Sequence, residues 1–197
     1  MMNEDPLAAY RAKRDLAKTP EPFGGERHDA GPIFVVQKHD ASHLHYDLRL
    51  EIGGVLKSWA VPKGPSMDPK VKRLAIPTED HPLDYADFEG VIPEGQYGAG
   101  TVMVWDIGTY RNLKSETQEA HSIDENYDHG HLEIWLDGKK LKGAFTMVRT
   151  KRGGTKPQWL LWKSRDDFAQ SDVDILVDAP NSALTGRSLE QIAGQKG

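Results

Sequence analysis

Short runs of alternating apolar and polar residues recur along the chain, separated by Gly, Pro and polar punctuation. They span Ile33 to Gln37, His43 to Ile52, Leu56 to Val61, Leu74 to Pro77, Gly100 to Asp106, His131 to Leu136, Gly143 to Arg149 and Gln158 to Ser164. Alternation over this length marks half-buried strands. About eight short strands without repeated βαβ units predict a mainly β fold, a compact antiparallel β-barrel with short flanking helices. A helical stretch from Pro6 to Lys18 precedes the turn-prone Thr19-Pro20-Glu21-Pro22, and a short helix is expected at Ser188 to Ala193. The chain therefore divides into an N-terminal arm (1–28), a barrel domain (29–178) and a C-terminal tail or connector (179–197). The acidic stretch Glu116 to Gly130 shows no clear period and reads as a mobile loop.

The cleanest alternation also carries the chemistry. In His43 to Ile52, Leu44, Tyr46, Leu48, Leu50 and Ile52 share one strand face, while His43, His45, Asp47, Arg49 and Glu51 share the other. Residues two apart project the same way, so His45 and Asp47 can converge on one ion. His39, arriving from the preceding turn, completes a His-His-carboxylate set with open coordination positions. Arg49, one step further along, can pair with a phosphate oxygen beside the metal. A strand whose outer face is merely solvated would show the same spacing, and that alternative stays open on the pattern alone.

The loop Pro77 to Tyr85 adds His81, as a general acid or a phosphate donor, and Tyr85 as a second donor. Lys57, Lys63, Lys70, Lys72 and Arg73 bracket the turn Val61 to Pro65, where phosphate capture and ordinary solvation are both open. The Gly-rich run Gly95 to Thr101 lacks the Lys-Ser/Thr ending of a phosphate loop and reads as a barrel turn. The five Trp residues lie in strand-like runs and read as core rather than as base-stacking platforms.

Composition narrows the classes. The chain of 197 residues fits one core, and 38% apolar residues argue against disorder. Zero Cys excludes disulfides, thiolate nucleophiles and Cys-based zinc sites, so any transition metal must rest on His and carboxylates. The charged opening and the lack of a membrane-length apolar run give a cytoplasmic, non-membrane expectation. A net charge of −5 disfavours a general nucleic-acid coat, yet Gly138 to Arg165 is rich in Lys and Arg and lacks Asp and Glu. Such segregation can build one positive groove on an acidic protein, or simply a solvated basic loop.

The runs FVVQKHDASHLHYDLRL, LKSWAVPKGPSMDPKVKRLA, EDHPLDYADFEG and IPEGQYGAGTVMVWD, with KRDLAKTPEP before them and WLLWKSR after, resemble the 3′-phosphoesterase domain of bacterial DNA ligase D. The resemblance implies a β-barrel that heals DNA 3′ ends with manganese or another divalent transition metal. It implies a phosphodiesterase step that releases a 3′-terminal ribonucleoside, then a phosphomonoesterase step that exposes a 3′-hydroxyl. By position, His39, His45 and Asp47 match metal ligands, and Arg49, His81 and Tyr85 match residues around the scissile phosphate. Lys63 and Arg73 match basic positions tied to the monoesterase step. Arg14, Asp15, Glu21 and Glu79 match further positions needed for activity, which brings the arm into the site. The implied partners are DNA 3′ ends, preferably primer-templates ending in a ribonucleotide or 3′-phosphate, together with ligase, polymerase and end-joining proteins. A monomer is expected. SALTGRSLEQIAG resembles the connector that follows this domain in fused ligases, so both a stand-alone and an excised domain fit. The competing readings are a non-catalytic module that binds 3′-phosphate ends and a metal-dependent dioxygenase on a small barrel.

Overall fold

The structure is a computed structural model that describes residues 5–15, 17–25, 31–116, 120–150 and 157–194. Parts of the expected arm, acidic loop, basic segment and tail lie outside the described residues. The strands are β1 (Ile33–Asp40), β2 (Leu44–Ile52), β3 (Val55–Val61), β4 (Arg73–Pro77), β5 (Gly90–Ile92), β6 (Gly100–Asn112), β7 (His131–Gly138), β8 (Lys142–Thr150) and β9 (Gln158–Lys163). They hydrogen-bond in the order β1-β2-β3-β4-β9-β8-β7-β6, and β1 pairs with β6 to close an antiparallel barrel. Closure leaves those eight strands without a free edge. The ninth strand, β5, lies outside the barrel against the start of β6. Its three residues are too few for a period to show in the sequence.

Inside the barrel, Tyr46, Leu48, Leu50 and Ile52 of β2 meet Phe34, Val36, Trp59, Trp105 and Phe145, all buried. Leu44 shares their face but opens the strand and is 48% exposed. The opposite face of β1 to β3 is covered as well. Ile33, Val35 and Leu56 pack there against Tyr10 of the arm and against Tyr85 and Phe88, which flank or belong to a 3₁₀ turn at Leu83–Asp87. The polar face of β2 therefore lies between two apolar layers, and this buries its functional groups.

Several expectations change. The arm's helix is only α1 (Ala8–Ala12), because Leu7 offers no side-chain cap and tertiary contact at the buried Tyr10 anchors it. The acidic segment expected as a loop contains α2 (Ile123–His129). Ser122 and Glu125 form a capping box there, and Gly130 ends the helix at φ 76. Seven residues give too little length for amphipathic spacing to emerge. Trp59, Trp105 and Trp159 are core, whereas Trp135 and Trp162 are half-buried on the barrel's outer face.

The tail, with α3 (Ile175–Asp178) and α4 (Leu189–Ala193), packs onto the barrel. Ile192 is buried in the main core, and Trp105 Nε1 donates to the Ala179 carbonyl at 2.8 Å. Among the described residues no helix is long and apolar enough to cross a membrane.

Candidate active site

Antiparallel pairing of β1 and β2 sets His39 directly opposite His45, with Gln37 opposite Asp47. His39 thus stands on a strand, not in the turn expected for it, because β1 runs on to Asp40. The His39 and His45 ring centroids are 4.9 Å apart. His39 Nε2 lies 2.8 Å from the Gly98 carbonyl, and His45 Nδ1 lies 2.9 Å from the His43 carbonyl. A carbonyl only accepts, so each of these nitrogens carries the proton in the neutral ring. The lone pairs of His39 Nδ1 and His45 Nε2 then face Asp47 Oδ2, at 3.7 and 3.6 Å.

The three donor atoms lie within 4.8 Å of one another. Bonds of about 2.0–2.2 Å to one ion place neighbouring donors roughly 3–4 Å apart, so the set fits a divalent metal. Anchoring each imidazole through its second nitrogen is the usual way such ligands are held. Burial opposes ionisation of Asp47, yet Arg49, followed by His39 and His45, holds its carboxyl well below the ordinary range. Asp47 is thus a carboxylate at neutral pH. The Asp47 carboxylate facing His45 Nε2 favours the protonated ring and raises the pKa of His45.

Arg49 is buried and fixed on three sides. Nε donates to Gln37 Oε1 at 2.7 Å, Nη1 to Ser58 Oγ at 2.8 Å, and Nη2 to Asp47 Oδ2 at 3.4 Å. Gln37 in turn donates to the Tyr85 and Phe88 carbonyls, both at 3.0 Å. Gln37 and Ser58 escaped the sequence reading. Their signal was present, since Val35, Gln37 and His39 alternate onto the same face as Asp47 does.

His81 closes the next wall, held by backbone bonds to Leu56 in both directions. Arg49 Nη1 approaches its Nδ1 at 3.0 Å and Arg14 Nη2 its Nε2 at 3.4 Å. Burial first, and then the charges of Arg49 and Arg14, push its pKa well below the ordinary value, so the ring is neutral. The arm reaches this wall through Arg14, which donates to Glu21 Oε1 at 3.0 Å and to Glu79 Oε1 at 3.3 Å. Tyr85 Oη donates to the same Glu21 oxygen at 3.0 Å. Burial raises the Tyr85 pKa well above its usual value, so the phenol keeps its proton.

These groups line one cleft of about 280 Å³, into which the exposed Tyr97 also projects. The structure brings together the expected metal ligands with Arg49, His81, Tyr85, Glu79, Arg14 and Glu21. It does not bring Lys63, Arg73 or Asp15 to the lining. Lys63 is exposed in the turn after β3, and Arg73 begins β4. Asp15 is exposed, pairs with Lys18 at 3.0 Å, and stabilises the turn leading to Glu21.

The family model described as the DNA Ligase D 3′-phosphoesterase domain matches residues 37–149. The chain is 51% identical over 194 residues to the multifunctional non-homologous end joining protein LigD of Pseudomonas aeruginosa, covering 96% of this chain and 22% of that protein. It is 46% identical over 184 residues to the multifunctional non-homologous end joining DNA repair protein LigD of Mycobacterium tuberculosis, covering 92% and 23%. The LigD protein of Mycolicibacterium smegmatis is 43% identical over 165 residues. The chain thus spans about a fifth of the length of the relatives it matches. With its matched segment running from Gln37 through the candidate metal ligands and the His81 wall to Arg149, the chain belongs to the DNA ligase D 3′-phosphoesterase domain family.

Proposed function

We propose that this chain is a divalent-metal-dependent phosphoesterase that heals DNA 3′ ends, with manganese as its working ion. It removes a 3′-terminal ribonucleoside as a phosphodiesterase and then the remaining 3′-phosphate as a phosphomonoesterase, leaving a 3′-hydroxyl for end joining. One observation carries this reading: two imidazole lone pairs converge on the Asp47 carboxylate beside the fixed guanidinium of Arg49. Membership of a phosphoesterase family favours this reading over a dioxygenase, and the guanidinium is placed to pair with a phosphate oxygen.

A divalent ion held by His39, His45 and Asp47 supplies Lewis-acid polarisation and a more acidic water. The chain's own residues do the rest. Arg49 spends most of its hydrogens on Gln37, Ser58 and Asp47 and keeps an Nη2 hydrogen for a phosphate oxygen. A guanidinium fixed in advance stabilises charge that develops on the phosphate without reorganising. The neutral His81 ring, with its Nδ1 hydrogen on the Glu79 carbonyl at 2.9 Å, accepts from Arg14 at Nε2 and so holds that guanidinium beside the phosphate, since its imidazolium form is disfavoured. Lys63 and Arg73 act from outside the cleft on the monoesterase step. Asp15 acts through the turn that presents Glu21.

The test is incubation with manganese, zinc or iron(II) and a labelled primer-template ending in a ribonucleotide. The 3′-phosphate product should appear before the 3′-hydroxyl, and Lys63→Ala should accumulate the former. No phosphate release with any metal would favour a module that only binds 3′-phosphate ends.

A further inference from the structure

Charged and polar groups line most of the cleft, but it also holds an aromatic ring that the proposed reaction leaves unused. Tyr97 lines the cleft while 49% exposed, whereas the other phenol there, Tyr85, is buried. Tyr97 joins neither of the two apolar cores. Core packing therefore does not explain an aromatic at this position.

The ring is nonetheless fixed in place. Two successive turns are closed by Gln96 N donating to the Pro93 carbonyl and by Ala99 N donating to the Gln96 carbonyl, both at 3.1 Å. Gly95 and Gly98 are the third residues of these turns and take positive φ, as type II turns require. Tyr97 is the second residue of the turn whose Gly98 carbonyl accepts from His39 Nε2. It thus stands one residue from the support of the candidate metal site. The arm holds the ring as well, with Lys13 Nζ 4.6 Å and Arg14 Cζ 5.5 Å from its centre. Lys13 donates to Tyr97 Oη at 3.3 Å, and that hydroxyl donates to Glu79 Oε2 at 3.5 Å.

A nucleotide held by its phosphate in this cleft carries a base close to that phosphate. An exposed phenol is a surface on which any base can stack without sequence preference, which suits an enzyme that meets arbitrary ends. Among the described lining residues no other aromatic is exposed. We propose that Tyr97 is the stacking platform for the base of the nucleotide that carries the 3′-phosphate. This rests on the reading of the cleft as a DNA 3′-phosphoesterase site. That nucleotide is present in both proposed steps, whereas the terminal ribonucleoside departs in the first. Tyr97 orients the end and takes no part in bond breaking.

The experiment compares wild type, Tyr97→Ala and Tyr97→Phe on primer-templates whose 3′-phosphate sits on an ordinary or on an abasic terminal nucleotide. Fluorescence anisotropy without added metal gives Kd, and phosphate release with manganese gives KM. Tyr97→Ala should raise both about tenfold on the ordinary end, the scale of one base–aromatic stack, and less than twofold on the abasic end. Tyr97→Phe keeps the ring and drops the hydroxyl, and should restore affinity to within twofold of wild type. Equal losses on both ends would overturn the proposal, as would a Tyr97→Phe defect as large as that of Tyr97→Ala, which would reduce Tyr97 to a fastener between the arm and Glu79. A loss confined to ends that carry a terminal ribonucleotide would overturn it too, by moving the platform to the departing nucleoside. Wild type that binds these ends but hydrolyses none would contradict the phosphoesterase reading, while the Kd comparison still decides the role of Tyr97.

Discussion

His39 Nε2 and the Gly98 carbonyl oxygen lie 2.8 Å apart, so the β5–β6 turn determines which nitrogen of His39 faces Asp47. A turn that looked purely structural in the sequence therefore helps to build the candidate metal site.

Gly98 has φ +75, a conformation that costs an L side chain about 1–2 kcal/mol. A methyl group would meet nothing nearer than 3.8 Å, so any effect of Gly98→Ala acts through the backbone. Relaxation of φ moves the carbonyl away from His39. Manganese affinity by calorimetry should fall about tenfold. Unchanged affinity would remove Gly98 from the site's support.

The ion pair of Arg14 and Glu21 joins the arm to the cleft with side chains 4% and 0% exposed. Glu21→Ala leaves Arg14 buried beside Glu79 alone and takes the acceptor from Tyr85 Oη. Breaking a buried pair typically costs about 3 kcal/mol or more. Urea unfolding should show a loss of that order, together with reduced turnover. A loss below about 1 kcal/mol would mean that the arm is held by Tyr10 packing instead.

His81 gives a pH signature. Its folded pKa lies well below the ordinary 6.5, through burial and then the charges of Arg49 and Arg14. As pH falls below 6.5, the unfolded chain takes up this proton and the folded chain does not, until the lower folded pKa is reached. The contribution is therefore complete above 6.5 and is lost as pH falls through that window. Urea midpoints measured between pH 7 and pH 5 should drop more steeply for wild type than for His81→Gln. Parallel slopes would show that His81 titrates normally.

Much of the architecture was legible because alternation on β2 is regular and the barrel core needs it. Tyr46, Leu48, Leu50 and Ile52 face inward as expected. Legibility failed where a strand serves the site instead of the core. The apolar pattern of β1 stops at Gln37, but the strand continues through His39 to Asp40, since His39 faces the cleft and pairing to β2 and β6 holds this end. Short elements were missed for lack of length, although the Ser122 and Glu125 capping box of α2 could have been read. Burial of the polar face was not visible either. It depends on Tyr10 and Tyr85, brought over β1 to β3 by segments distant in sequence.

The most direct test of the central claim is Asp47→Asn, which keeps the shape of the side chain and removes its charge. Manganese binding and 3′-phosphate release should be measured on the same preparation, with near-ultraviolet circular dichroism to confirm the fold. The account predicts that both binding and release are lost while the fold is retained. Wild-type rates of manganese-dependent release from Asp47→Asn would contradict it.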